Sequence, residues 1–66
     1  MNGRRATWFS TDVIDLRYAE PVLTCGTIGI AYQDVLHGGT DAYIFYPDAL
    51  PDSLGYMCTL DELDFS

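Results

Sequence analysis

The side chains able to do chemistry in this 66-residue chain are few and scattered. Ser10, Ser53 and Ser66 become nucleophiles only beside a base, and the single histidine, His37, abuts a glycine pair with no context that marks it as one. Asp61 with Glu62 or Asp64 offers paired carboxylates. General acid-base work, however, needs one carboxylate desolvated in a cleft, and so short a chain has little room for one. The pieces Asp52-Ser53-Leu54-Gly55 and Asp61-Glu62-x-Asp64 fall short of a calcium loop. Gly26-x-x-Gly29 lacks the third glycine and the following helix of a dinucleotide fingerprint, and acidic surroundings repel a pyrophosphate. Cys25 and Cys58 are widely separated, with His37 as the only other soft ligand, which is no zinc spacing. The expectation is a non-enzymatic chain without metal or cofactor. Its cysteines read as buried free thiols, with a Cys25–Cys58 bridge as the alternative.

What remains is the carboxylates. From Tyr18 onward there is no lysine or arginine, yet eight acids follow: Glu20, Asp34, Asp41, Asp48, Asp52, Asp61, Glu62 and Asp64. The basic residues are Arg4, Arg5 and Arg17, and the formal charge is -7. A field of that density attracts cationic partners and repels nucleic acid and anionic lipid. With 48% apolar residues the chain departs from the composition of disordered acidic tails, so one small folded domain spanning 1–66 is expected. No apolar run approaches the roughly 20 residues needed to cross a bilayer, and Met1-Asn2-Gly3-Arg4-Arg5 leads into no apolar signal segment. A cytoplasmic monomer is the expectation.

Short segments of strand length lie between turns. Thr11 to Tyr18 alternates, with Ile14, Leu16 and Tyr18 on one face and Val13, Asp15 and Arg17 on the other, and predicts a half-buried strand. Thr27 to Leu36 predicts a second, with Ile28, Ile30 and Tyr32 opposite Gly29, Ala31 and Gln33. Gly38-Gly39 then supplies the positive φ angles of a tight hairpin turn. The returning strand, Thr40 to Tyr46, stops at Pro47, which has no ladder donor. Its aromatics lie on both faces, as in a small sheet that curls on itself. Tyr56 to Leu60 predicts a further strand. Thr59 or Asp61 caps a closing turn, and Leu63 and Phe65 dock on the core. The segment around Trp8 and Phe9 forms an additional strand or packs across a barrel end.

This order, with Gly26-Thr27-Ile28-Gly29-Ile30 after a loop, an aromatic strand ending in Tyr46-Pro47-Asp48, and a short strand closing on Leu60-Asp61-Glu62-Leu63, resembles small bacterial SH3-like barrels over about residues 11 to 65. The resemblance implies a mostly β or small α+β fold. Its form would be a single curled antiparallel sheet, a partly open barrel of four to five strands with a short C-terminal helical turn. It implies no function. Nucleic-acid-binding members of that architecture carry basic patches that this chain lacks.

By composition alone, the chain is also similar to the small inhibitor proteins of phages, DNA-mimicking anti-CRISPR proteins among them. That likeness implies an inhibitor blocking DNA or PAM recognition by a CRISPR effector subunit that binds DNA. Same-face strand positions lie about 6.7 Å apart, roughly twice the 3.4 Å rise per phosphate on one DNA strand, so carboxylates on a sheet would imitate a phosphate track. The expected contacts are Asp34, Asp41, Asp48, Asp52, Asp61, Glu62 and Asp64, with Tyr32, Tyr43 or Tyr46 as aromatic anchors. The alternative is a small immunity or accessory domain that neutralises a basic toxin or partner.

Overall fold

The computed structural model describes residues 3–50 and 55–65. Five strands, β1 (Arg4–Trp8), β2 (Ile28–Gln33), β3 (Ala42–Pro47), β4 (Tyr56–Thr59) and β5 (Leu63–Phe65), form one antiparallel sheet in the order β4-β3-β2-β1-β5. The edge strands β4 and β5 lie four spacings apart in that order, about 19 Å if the sheet were flat. A 3₁₀ turn, Leu60–Glu62, joins them. The four residue steps from Thr59 to Leu63 reach at most about 14 Å, so the sheet must curl until its edges approach. The fold is the SH3-like partly open barrel expected.

Register and burial assign the two faces. Ala6, Trp8, Gly29, Ala31, Tyr43, Phe45, Pro47, Cys58 and Leu63 point inward and are buried. Phe45 is fully buried and its ring lies 6.2 Å from that of Trp8. Two large rings facing one another leave room only for small residues between them. A methyl group on Gly29 would sit 2.8 Å from the tip of Phe45 and would also strike the carbonyl oxygen of Tyr46. The bulky set of β2, Ile28, Ile30 and Tyr32, therefore faces outward, while Gly29 and Ala31 line the core. Trp8 belongs to β1, which lies inside the sheet between β2 and β5.

Three expectations are corrected. Thr11 to Tyr18 is not a strand: it belongs to a long loop between β1 and β2 whose one bridge pairs Val13 with Leu23. Asp15 explains why, since its Oδ1 accepts a bond from the Arg17 backbone N–H at 3.0 Å and its carbonyl accepts one from Tyr18 at 2.9 Å. A side chain that captures its own backbone competes with a sheet ladder. The alternation of Ile14 and Leu16 points to water, and Leu16 is 97% exposed. Val22 and Leu23, on the loop's return, plug the core instead.

The β2–β3 hairpin is present, but its turn is not a two-residue one. Helical turn α1 (Val35–Gly38) and a 3₁₀ turn, Gly39–Asp41, connect the strands. Gly39 ends α1 at φ 78°, a conformation natural to glycine. Both cysteines are free, and Cys25, expected to be buried, is exposed. Thr59 caps the closing turn as expected: the Glu62 carboxylate accepts its backbone N–H at 3.1 Å in a capping box. Leu63 is buried, and Phe65 packs on the core.

Candidate acidic and aromatic interaction site

The fold sorts the predicted acids by strand end. β2 finishes where β3 begins, and β3 begins opposite the end of β4. Asp34 and Asp41 therefore lie at the same end of the sheet as Thr59, Leu60 and Asp61. The amide of Asp34 donates to the Ala42 carbonyl, and Gln33 Nε2 donates to the Thr40 carbonyl, both at 2.8 Å, which clasps the connection against the sheet. Asp41, Thr59, Leu60 and Asp61 line an open notch of about 500 Å³. Asp61 accepts a hydrogen bond from the Thr59 hydroxyl, which also lies 3.3 Å from Glu62 Oε1, so the two carboxylates converge on one hydroxyl.

Other acids lie elsewhere. Asp48 is at the opposite end, where the Arg5 guanidinium donates to both its oxygens, at 3.2 and 2.9 Å. Asp64 is on the outer face of β5, opposite Thr7. Asp52 lies outside the described residues. Of the six described acids, Asp64 alone is within a strand, so the strand-spaced phosphate track does not describe their arrangement.

Each arginine is engaged by a partner other than the carboxylates of the notch. Arg5 holds Asp48, Arg17 holds Asp15 with Nη2 to Oδ2 at 2.6 Å, and the Arg4 guanidinium stacks 4.2 Å over the Phe65 ring. No basic side chain pairs with Asp41, Asp61, Glu62 or Asp64 among the described residues. Asp15 was not among the expected contacts, yet it is the polar centre of the long loop. The Arg17 side chain and backbone hydrogen bonds hold its carboxyl well below the ordinary range, against a smaller opposing effect of burial. Tyr56 adds a hydrogen bond from its hydroxyl at 2.9 Å, which ties the loop to β4. Burial, and then this bond, raise the Tyr56 phenol. Charge counting from Tyr18 onward passes over Asp15, and its signal was the Asp-x-Arg spacing.

The tyrosines divide between faces. Tyr43 is buried on the inner face against Phe65, with centroids 5.3 Å apart, and is no surface anchor. Tyr32 and Tyr46 are on the outer face, packed edge to face at 5.6 Å. Register places Tyr32, Ile44 and Met57 in one row across β2, β3 and β4, and Arg5, Ile30 and Tyr46 in the next. Met57 is 70% exposed and Ile28 about half exposed. Sequence alternation found this apolar face but not that it looks outward.

A second notch of about 320 Å³ lies between the tip of the long loop, Tyr18 to Val22, and Ala49 and Leu50. Its walls bring no cluster of titratable groups together. No group of three or more metal-ligating side chains occurs among the described residues. No helix among them is long and apolar enough to cross a membrane. No family model, curated protein or solved structure matches the chain.

Proposed function

We propose that this domain is an inhibitory binding module that docks on a cationic protein surface through the end bearing Asp41, Asp61 and Glu62. The groove it occludes is one that normally holds nucleic acid, as in the DNA-binding subunit of a CRISPR effector. The observation that carries the reading is the absence of any basic partner for these carboxylates among the described residues, while Arg5 and Arg17 pair with Asp48 and Asp15 and Arg4 stacks on Phe65. A lysine- or arginine-rich groove gains affinity by neutralising phosphates, and clustered carboxylates offer it the same gain. Mimicry here means a localised anionic end rather than a periodic track.

The test is target-DNA binding by a CRISPR effector, followed by gel mobility with and without the domain. Inhibition should weaken as salt rises, because exposed charges are screened beyond about 8 Å at physiological ionic strength. The double reversal Asp41→Lys, Asp61→Lys at that end should remove it while the circular dichroism stays that of the folded domain. Inhibition retained by that folded variant refutes the reading.

A second reading, an immunity or accessory domain that works through apolar contacts, draws on the outer face with Ile28 and Met57 exposed. It predicts binding that is nearly indifferent to salt.

A further inference from the structure

The notch and the outer apolar face are one continuous surface. Ala42 and Thr59 form the outer-facing pair next to Ile44 and Met57 in the β3–β4 register. Same-face neighbours along a strand are about 7 Å apart. The apolar row Tyr32–Ile44–Met57 therefore leads, through Thr59, directly to the notch between Asp41 and Asp61. Leu60 adds an apolar wall there, 42% exposed, and α1 presents Val35 and Leu36 at the same end, Leu36 being 94% exposed. An exposed apolar patch rimmed by charge marks an interaction surface.

The patch is also held in shape. A methyl group built on Gly55, at φ 82°, would sit 2.5 Å from Ile44 Cγ2 and 2.9 Å from the Tyr46 ring. One on Gly3 would meet the Tyr32 ring at 2.8 Å. The two tyrosines, packed edge to face, thus lean over glycine backbone on either side, which fixes their rings without covering Met57.

Charge decides what the face receives. Its border carries Asp41 and Asp61 at one end, Asp64 along β5 and the Asp48–Arg5 pair at the other end. A second copy would bring the same carboxylates and its own charge of -7 against them. Nucleic acid and anionic lipid are repelled for the same reason.

We infer that the face of Ile44, Met57 and Tyr32, together with the Asp41–Asp61 notch, receives a cationic amphipathic segment of a partner protein. An apolar side chain of that segment rests on Met57 and Ile44, and a neighbouring lysine or arginine enters the notch. This rests on the proposed function and names the kind of partner surface it requires: basic groups interleaved with apolar ones, not a uniformly basic groove.

The experiment uses the whole chain, isotopically labelled, and two synthetic peptides of equal charge, one alternating lysine with valine and the other alternating lysine with serine. The valine peptide should bind roughly tenfold tighter, the effect of one well-packed apolar contact. It should shift the amide resonances of Ile44, Met57, Thr59 and Asp61. Met57→Gln, a neutral change at an exposed position, should remove the preference while the valine peptide still binds as weakly as the serine one. Equal binding of the two peptides, or shifts that bypass Ile44 and Met57, overturns the inference and leaves the acidic-end reading standing. Loss of preference with Met57→Gln but not of peptide binding with Asp41→Asn/Asp61→Asn overturns the notch half and the proposed function with it. Binding of neither peptide overturns both. A Met57-dependent dimer in sedimentation replaces the cationic partner with a second copy and likewise overturns the inference.

Discussion

Cys58 offers a quantitative probe of the strand placement, because it is buried on the inner face of β4 while Cys25 is exposed in the long loop. Burial, and to a lesser degree the Glu62 carboxylate, pushes its thiol up from 9.0 to about 11. At pH 8 a thiol with the ordinary value is about one tenth thiolate, whereas Cys58 is about one thousandth, a roughly hundredfold deficit in the reactive form. The more basic thiolate is the better nucleophile, with a Brønsted slope of about 0.45, which returns close to tenfold. Ionisation alone therefore slows Cys58 about tenfold. Access decides more: at about 0.05–0.15 kcal/mol per residue a domain of this size has roughly 3–10 kcal/mol of stability, so global opening exposes the thiol less than about 1% of the time. Iodoacetamide in native buffer, read by intact mass, should add one group quickly and the second at least about a hundredfold more slowly. Denaturant should equalise the two rates. If Cys58 reacts through opening, its rate should follow a titration near 9.0 rather than 11, because the open state has the ordinary thiol. Modification of both cysteines within tenfold of one another in the native state would refute the inward placement of Cys58 and with it the register of β4 on β3.

Three further outcomes are expected of the same fold. Phe45→Ala removes the fully buried ring that faces Trp8 and should cost about 3–5 kcal/mol, most of the stability of so small a domain, read as loss of the two-state transition in Trp8 fluorescence. Thr59→Ala breaks the capping box and should cost about 1 kcal/mol, a fall in Tm of about 4–8 °C by circular dichroism. The carboxyl of Asp15 is depressed below 3.8, so its contribution to holding the long loop is complete above that pH and is lost as pH falls through the folded value. Carbon-detected titration should find Asp15 titrating below 3.8, and Asp15→Asn should abolish this acid dependence of the loop's amide resonances.

The parts of the fold legible in the sequence were those dictated by local chemistry. β3 is bounded by Pro47 and is dense in aromatic and β-branched residues, the C-terminal turn carries a cap at Thr59 with Glu62 three residues on, and glycine marks the return from β2. The long loop misread as strand shows the limit of periodicity, since Ile14 and Leu16 alternate as a strand does while Asp15 ties the backbone into a turn. Which side of β2 is core was not legible either. It depends on Phe45 and Trp8 meeting across the sheet, a non-local fact that reserves the inner positions for Gly29 and Ala31.

The candidate site was legible as a charge but not as a place. Asp48 is drawn away by Arg5, 43 positions distant in the chain, and Asp41 and Asp61 are brought together only because β3 starts where β4 ends. Tyr43 and Tyr46 are three residues apart in one strand, yet the pleat buries the first and leaves the second outside.

Whether the acids act by position is decided by two substitutions of equal charge change, Asp61→Asn in the notch and Asp48→Asn in the Arg5 pair, compared in the affinity of the whole chain for the lysine–valine peptide across a salt series. Asp61→Asn should weaken binding and flatten its salt dependence, while Asp48→Asn should leave both close to those of the unsubstituted chain. Equal effects of the two would mean that binding follows net charge and not the notch, and would overturn the proposed site.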